Sequence, residues 1–176
     1  MQGMSSPEWS RYMHEKLGLQ AAPEVIAAEA VRRMGERYRE HLPLLTGARQ
    51  AVLRMARRFV LGVASSSNRP LIDLALERAG VADAFRATVA AEEVARGKPA
   101  PDVYLEACRR LEVESECAAA VEDSTNGLRA ARAAGMRVIA IPNRRYPPDR
   151  AALAAADVVL PSLAYLWPRV VDPGRN

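Results

Sequence analysis

The sequence predicts an α/β protein built on a parallel sheet, and three observations predict it. Short apolar runs alternate with helical patterns from about residue 48 to residue 160. Such alternation gives parallel strands joined by right-handed crossovers. Two of the apolar runs stop abruptly in polar groups. Leu61-Gly62-Val63-Ala64 ends in Ser65-Ser66-Ser67-Asn68, and Ala118–Val121 ends in Glu122-Asp123-Ser124. A helical pattern follows each of them, and open α/β sheets bind ligands at that turn. Residues 1 to about 42 differ, with helical periodicity and no strand pattern.

The elements follow in order. Ser5-Ser6-Pro7-Glu8 is a helix start, with Ser5 and Glu8 as a capping box and Pro7 in the first turn. Trp9, Tyr12, Met13 and Leu17 fall on one face, read as core packing, and Gly18 stops the helix. A second helix is predicted from Pro23 to Glu40, with Val25, Ala28, Val31 and Tyr38 inward. Leu42-Pro43-Leu44-Leu45-Thr46-Gly47 is a junction. Beyond it the pattern predicts a helix near 48–56, a strand near 59–64 and a helix near 70–78 ending at Gly80. A strand near 87–90, a helix near 101–111 and a strand near 118–121 come next. A helix near 128–134 closes at Gly135, and strands near 137–141 and 158–160 follow. Residues 162–166 read as a turn, and those from Pro168 onward as a loose tail.

Composition bounds the function. The 176 residues are 49% hydrophobic and 26% charged, which is globular and allows one ordinary domain plus a small appendage. The net charge is +4, but the arginines are scattered through helices and aromatics make up only 5%. Stacking on bases has little support, so nucleic acid is not the expected partner. Cys108 and Cys117 are too few and too far apart for a disulfide framework or a zinc site, which fits a reducing, cytoplasmic setting. No apolar run approaches the ~20 residues needed to span a bilayer, and no signal-peptide pattern is present.

Three stretches carry chemistry. Glu122 and Asp123 are adjacent carboxylates at a strand–helix turn, suited to a hard cation such as Mg²⁺; equally, Asp123 or Ser124 would cap the next helix. Gly97-Lys98-Pro99-Ala100-Pro101-Asp102 holds one of only two lysines, the other being Lys16, in a chain with 25 lysines and arginines. Lysine is a compact point charge suited to a single phosphate oxygen. Ser65, with the backbone N–H that follows it, would bind phosphate or cap a helix.

In order and spacing these motifs resemble the haloacid dehalogenase-like hydrolase superfamily, in particular the branch of β-phosphoglucomutase and the small phosphosugar phosphatases. The resemblance covers Gly3 to about Leu166. It rests on the Gly97–Asp102 motif, on Val121-Glu122-Asp123-Ser124-Thr125-Asn126-Gly127, and on Ser65. It implies a Rossmann-like core over residues 43–176 and a partial helical cap over residues 1–42. It implies Mg²⁺ held by Asp123 with Glu122, a phosphoryl group neutralised by Lys98, and a hydrogen bond from Ser65. Ser66, Arg69 and Asn126 are further substrate-binding candidates, while Asp102 is expected to cap its helix. The family begins with a strand ending in Asp-x-Asp, which supplies the nucleophile and the general acid/base. None of the seven aspartates here forms such a motif. The chain is therefore expected to lack the family's first strand, to have a gap between the strands of Ser65 and Glu122, and to be inactive alone. The family's mutase has an arginine just after its cap Gly-x-Ser. Ser6 stands there in this chain, favouring a phosphatase over a mutase, with Arg11 as a possible substitute. Hydrolysis of a small phosphosugar-type metabolite is the expected activity. The alternatives are a non-catalytic pseudo-phosphatase that binds phosphate or a partner protein, and a phosphomutase when complete. A receiver domain would carry its motifs in the reverse order, and no Gly-x-Gly-x-x-Gly supports a dinucleotide enzyme.

Overall fold

The computed structural model describes residues 6–172 and 174. Among them the chain runs α1 (Ser6–Leu17), α2 (Pro23–Glu40), α3 (Ala48–Ala56), β1 (Gly62–Ser65), α4 (Arg69–Ala79), β2 (Ala87–Ala90) and α5 (Asp102–Leu111). It continues as β3 (Ala119–Glu122), α6 (Thr125–Ala133), β4 (Arg137–Ala140), α7 (Arg150–Ala154), β5 (Val158–Val159) and α8 (Pro168–Val171). All strand pairs are parallel, as the alternation predicts.

The strands form two separate sheets. β1 pairs with β2, Gly62 opposite Ala87 and Ser65 opposite Ala90. The second sheet has the order β3-β4-β5. Among the described residues β1 and β3 share no ladder. The apolar run from Phe59 predicts a longer strand than β1, but pairing starts at Gly62, where the partner strand begins. Phe59 and Leu61 instead pack beside Met55 and Ile139.

Alternation along β4 shows why the second sheet is covered on both faces. Val138 and Ala140 join a core with Val103, Ala107, Leu128 and Ala131 from α5 and α6. Ile139 turns the other way, to Met55, Leu160 and Leu166. Parallel strands buried on both faces read as continuous apolar runs. Each large side chain so buried contributes roughly 1.5–3 kcal/mol.

Helix ends follow the sequence. α2 starts with a proline at its first turn and carries Arg37 and Arg39 in its last, matching the helix dipole. Ser124 caps α6 by accepting the Gly127 N–H at 3.1 Å, and Asp149 caps α7 by accepting from Ala152 N at 2.7 Å. Gly80, with φ 63°, closes α4. α5 ends instead at Glu112, held left-handed at φ 58°.

The Ser5 end of the expected capping box lies outside the described residues, and four other expectations are revised. On α1 the buried positions are Ser6 and Ser10, while Tyr12 and Leu17 are exposed. On α2, Ile26 and Gly35 are buried, while Val25 is 58% exposed. The hairpin α1–α2 has only one face to cover, where α2 lies on α4. The tail read as loose from Pro168 onward begins instead as the short docked helix α8: Arg137 Nε donates to Val170 O at 3.2 Å, and Arg54 grips Leu163 O and Leu166 O just before it; residues 173, 175 and 176 lie outside the described residues. Asp102 is the first residue of α5 and pairs with Arg96 at 2.8 Å; Pro101 occupies the cap. No helix among the described residues is long and apolar enough to cross a membrane.

Candidate active site

The carboxyl ends of β1 and β3 open into one cleft of about 520 Å³. Ser65, Ser66 and Ser67 line it from the β1 end, Glu122, Asp123 and Ser124 from the β3 end, and Lys98 lies between them. Leu45, from the junction after α2, contributes an apolar edge. Three motifs separated by up to 59 positions in the sequence thus meet at one place.

Lys98 spans the two sheets. Its side chain is 7% exposed. Nζ donates to the Ala64 carbonyl of β1 at 3.1 Å, to the Tyr104 hydroxyl at 3.2 Å, and to Glu122 Oε1 at the end of β3. An ammonium has three protons, and these three acceptors take them all. Toward an anion in the cleft, Lys98 therefore acts as a fixed positive charge.

Glu122 has a different part from the one its sequence context suggests. Oε1 accepts from Lys98 and, at 2.6 Å, from the Tyr104 hydroxyl. Oε2 accepts from the Asp123 N–H at 3.1 Å, from the Ser124 hydroxyl at 3.1 Å and, at 3.4 Å, from the Ser124 N–H. Five protein donors fill the carboxylate, leaving no lone pair directed at a cation. Burial pushes the Glu122 carboxyl up, but the Lys98 charge and these hydrogen bonds outweigh it and hold it below the usual range. Burial and the neighbouring Glu122 charge push the Tyr104 phenol well up, so it stays protonated and donates.

Asp123 is the carboxylate offered to the cleft. Its Oδ2 accepts from Asn143 Nδ2 at 3.4 Å, a long contact that leaves it available to a hard cation. Among the described residues no group of three or more His, Cys, Asp or Glu side chains forms a ready metal cage. Mg²⁺ binds through one or two carboxylates with water and substrate phosphate, so Asp123 fits as a single protein ligand. On the opposite wall, Ser65 Oγ accepts the Ser67 N–H at 3.1 Å, and its own O–H remains to donate to an anion.

Two candidates lie away from the cleft lining. Arg69, the first residue of α4, binds Glu93 and Thr88, with Asp73 at 3.5 Å. Its guanidinium ties α4 to β2 and does not face the site. Asn126 sits half-buried in the first turn of α6. Ser6 donates to Asn68 Oδ1 at 2.5 Å, so it docks α1 on the core, and Arg11 is exposed on α1. Sequence reasoning missed Tyr104 and Asn143. Tyr104 falls in the apolar stripe Val103, Tyr104, Ala107, Cys108 and reads as ordinary core. Asn143 follows β4 by three residues, the strand-end signal that picked out Ser65 and Asp123.

A profile of the haloacid dehalogenase-like hydrolases matches residues 2–135. Hexitol phosphatase B of Escherichia coli K12 is 38% identical over 128 residues, 72% of this chain and 57% of that protein. The chain spans about half the length of the curated relatives it matches. Among solved structures, CbbY from Rhodobacter sphaeroides in complex with phosphate superposes with a TM-score of 0.79 at 30% identity, covering 93% of this chain and 75% of that one. β-Phosphoglucomutase from Clostridium difficile reaches a TM-score of 0.80 at 20% identity, covering 96% and 76%, and bears on the fold alone.

Proposed function

Since the chain belongs to the haloacid dehalogenase-like hydrolase family, we propose that it takes part in Mg²⁺-dependent hydrolysis of phosphate monoesters, with small phosphosugar-type metabolites as substrates. The observation that carries this reading is the convergence of Ser65, Lys98 and Asp123 on one cleft at parallel strand ends. Phosphoryl transfer asks a protein mainly for positioning and charge stabilisation. Ser65 donates to a phosphoryl oxygen, and the Ser66 and Ser67 turn closes around it. Lys98 sets a fixed positive charge beside it. Asp123 holds Mg²⁺, which when bound supplies further charge neutralisation of the phosphate.

The nucleophilic carboxylate is not among these residues. We assign it to a strand that seats between β1 and β3, whose facing edges have no strand partner among the described residues. Unpaired edges accept an added strand, and the Ala64 carbonyl and Glu122 flank the place where its end would lie. Without that strand the chain turns over no phosphate ester. A second reading, phosphate or partner binding without catalysis, draws on the same missing carboxylate.

The test has two parts. The chain is titrated with inorganic phosphate with and without Mg²⁺. Affinity should rise with Mg²⁺ in the wild type, and that rise should vanish in Asp123→Asn. The chain is then assayed with an aryl phosphate, alone and with an N-terminal segment carrying Asp-x-Asp. Turnover should appear only with the segment and fall on the order of 10²-fold or more in Lys98→Ala. Mg²⁺-independent binding, or turnover by the chain alone that Lys98→Ala abolishes, would overturn the assignment.

A further inference from the structure

We infer that the Tyr104 hydroxyl is the positioning group that fixes the Lys98 charge at the anion cleft, a role that rests on the phosphate-site reading above. Tyr104 lies in the first turn of α5, with 7% of its surface exposed. Its hydroxyl does two jobs at one oxygen. It donates to Glu122 Oε1 at 2.6 Å and accepts from Lys98 Nζ at 3.2 Å. It therefore touches both members of the buried ion pair, and Lys98 Nζ also sits 4.6 Å from the centre of its ring.

The geometry distinguishes packing from positioning. The ring fills the core beneath the sheets together with Val103 and Ala107, and a phenylalanine would fill the same space. The hydroxyl adds nothing to that packing. What it adds is the third acceptor for an ammonium whose other two lie on different sheets, Ala64 O on β1 and Glu122 on β3. Two acceptors leave a lysine head free to swing about the line joining them. A third acceptor restrains that swing. A point charge acts on an anion through distance alone, so fixing the ammonium is what sets its strength in the cleft. The same hydroxyl holds Glu122 Oε1 in place, so the carboxylate cannot follow Lys98 if it moves.

Tyr104→Phe is the test, because it removes only the hydroxyl. Lysine-selective ¹³C labelling gives signals from Lys16 and Lys98 alone, since these are the only lysines. The Lys98 ε-signal should shift, and exchange of its ammonium protons with water should accelerate by about tenfold, while Lys16 is unchanged. Inorganic phosphate should bind about three- to tenfold more weakly, the fold-change of one ordinary hydrogen bond. In a Lys98→Ala background the same substitution should cost nothing more, because a residue that acts through Lys98 is non-additive with it. An unchanged Lys98 signal in Tyr104→Phe overturns the proposal, as does an equal loss of affinity in both backgrounds. Phosphate affinity that ignores Lys98→Ala overturns the phosphate-site reading itself, and the role of Tyr104 with it. If Lys98→Ala does not fold, the Lys98 signal decides.

Discussion

Gly127 shows how tightly single residues determine this site. A Cβ placed there would lie 2.0 Å from the Glu122 carboxyl carbon and 2.1 Å from Oε2. Alanine in a helix normally gains about 1 kcal/mol over glycine. Here that gain is outweighed, because Glu122 must leave its five donors and Lys98 loses its counter-ion in a buried place. Breaking a buried pair costs roughly 3–5 kcal/mol. We expect Gly127→Ala to lower stability by about 3 kcal/mol in urea unfolding and to weaken phosphate binding; a variant as stable as wild type would refute this. The site was partly legible in the sequence for the same physical reasons. Lys98 stood out as a lysine among arginines, and Ser65 as a hydroxyl at a strand end. Glu122 and Asp123 could not be told apart, because adjacent acids look alike until the partners of each are known. Both line the cleft, but Glu122 engages its oxygens with Lys98, Tyr104 and the turn after it, while the Asp123 carboxylate has only the long contact with Asn143 among the described residues.

At the scale of elements, the helix boundaries of α2 and α3 and the strand β2 follow from caps, periodicity and glycine stops. β1 is shorter than its apolar run because pairing, not hydrophobicity, sets strand length. The α1 face expected from periodicity differs from the buried one, because periodicity reports which residues are apolar, not how many neighbours a helix has. Glu112 is the element-scale anomaly. Its left-handed φ of 58° closes α5, with its N–H bonded to Arg109 O at 3.2 Å and the Val113 N–H to Cys108 O at 3.1 Å. A side chain in this conformation costs on the order of 1 kcal/mol, and glycine is the usual occupant. Its contact with Arg86, at 3.8 Å with both side chains largely exposed, offsets little of that. Glu112→Gly should raise stability by about 0.5–1 kcal/mol. Denaturant midpoints of the two proteins would check it, and a lower midpoint for the variant would contradict it.

For the whole molecule, two carboxylates join parts that the backbone ladders leave apart. Glu122 links the sheets through Lys98, and Glu93 links β2 to α4 and α5 through Arg69 and Arg110. Burial raises the Glu93 carboxyl, but hydrogen bonds from Arg69 and Arg110 outweigh it, so it too is held low. A carboxyl held lower in the folded than in the unfolded state stabilises above its unfolded value and stops doing so as pH falls through its folded value. The melting temperature should therefore be level from pH 7 to about 5 and fall below about pH 4.3, the ordinary glutamate value. Glu93→Gln should melt lower at neutral pH and show a shallower acid decline. A wild-type melting temperature constant down to pH 3 would show that these pairs contribute nothing.

The position of the two lysines has a consequence for proteolysis. Lys98 is buried and precedes Pro99, a bond that lysine-directed endoproteases cut poorly. Lys16 is exposed, one residue before the end of α1. In the native protein such an enzyme has one open bond, Lys16–Leu17, and a single nick there would cut α1 from the rest of the chain. Cleavage beyond that nick would report that the cleft itself had opened.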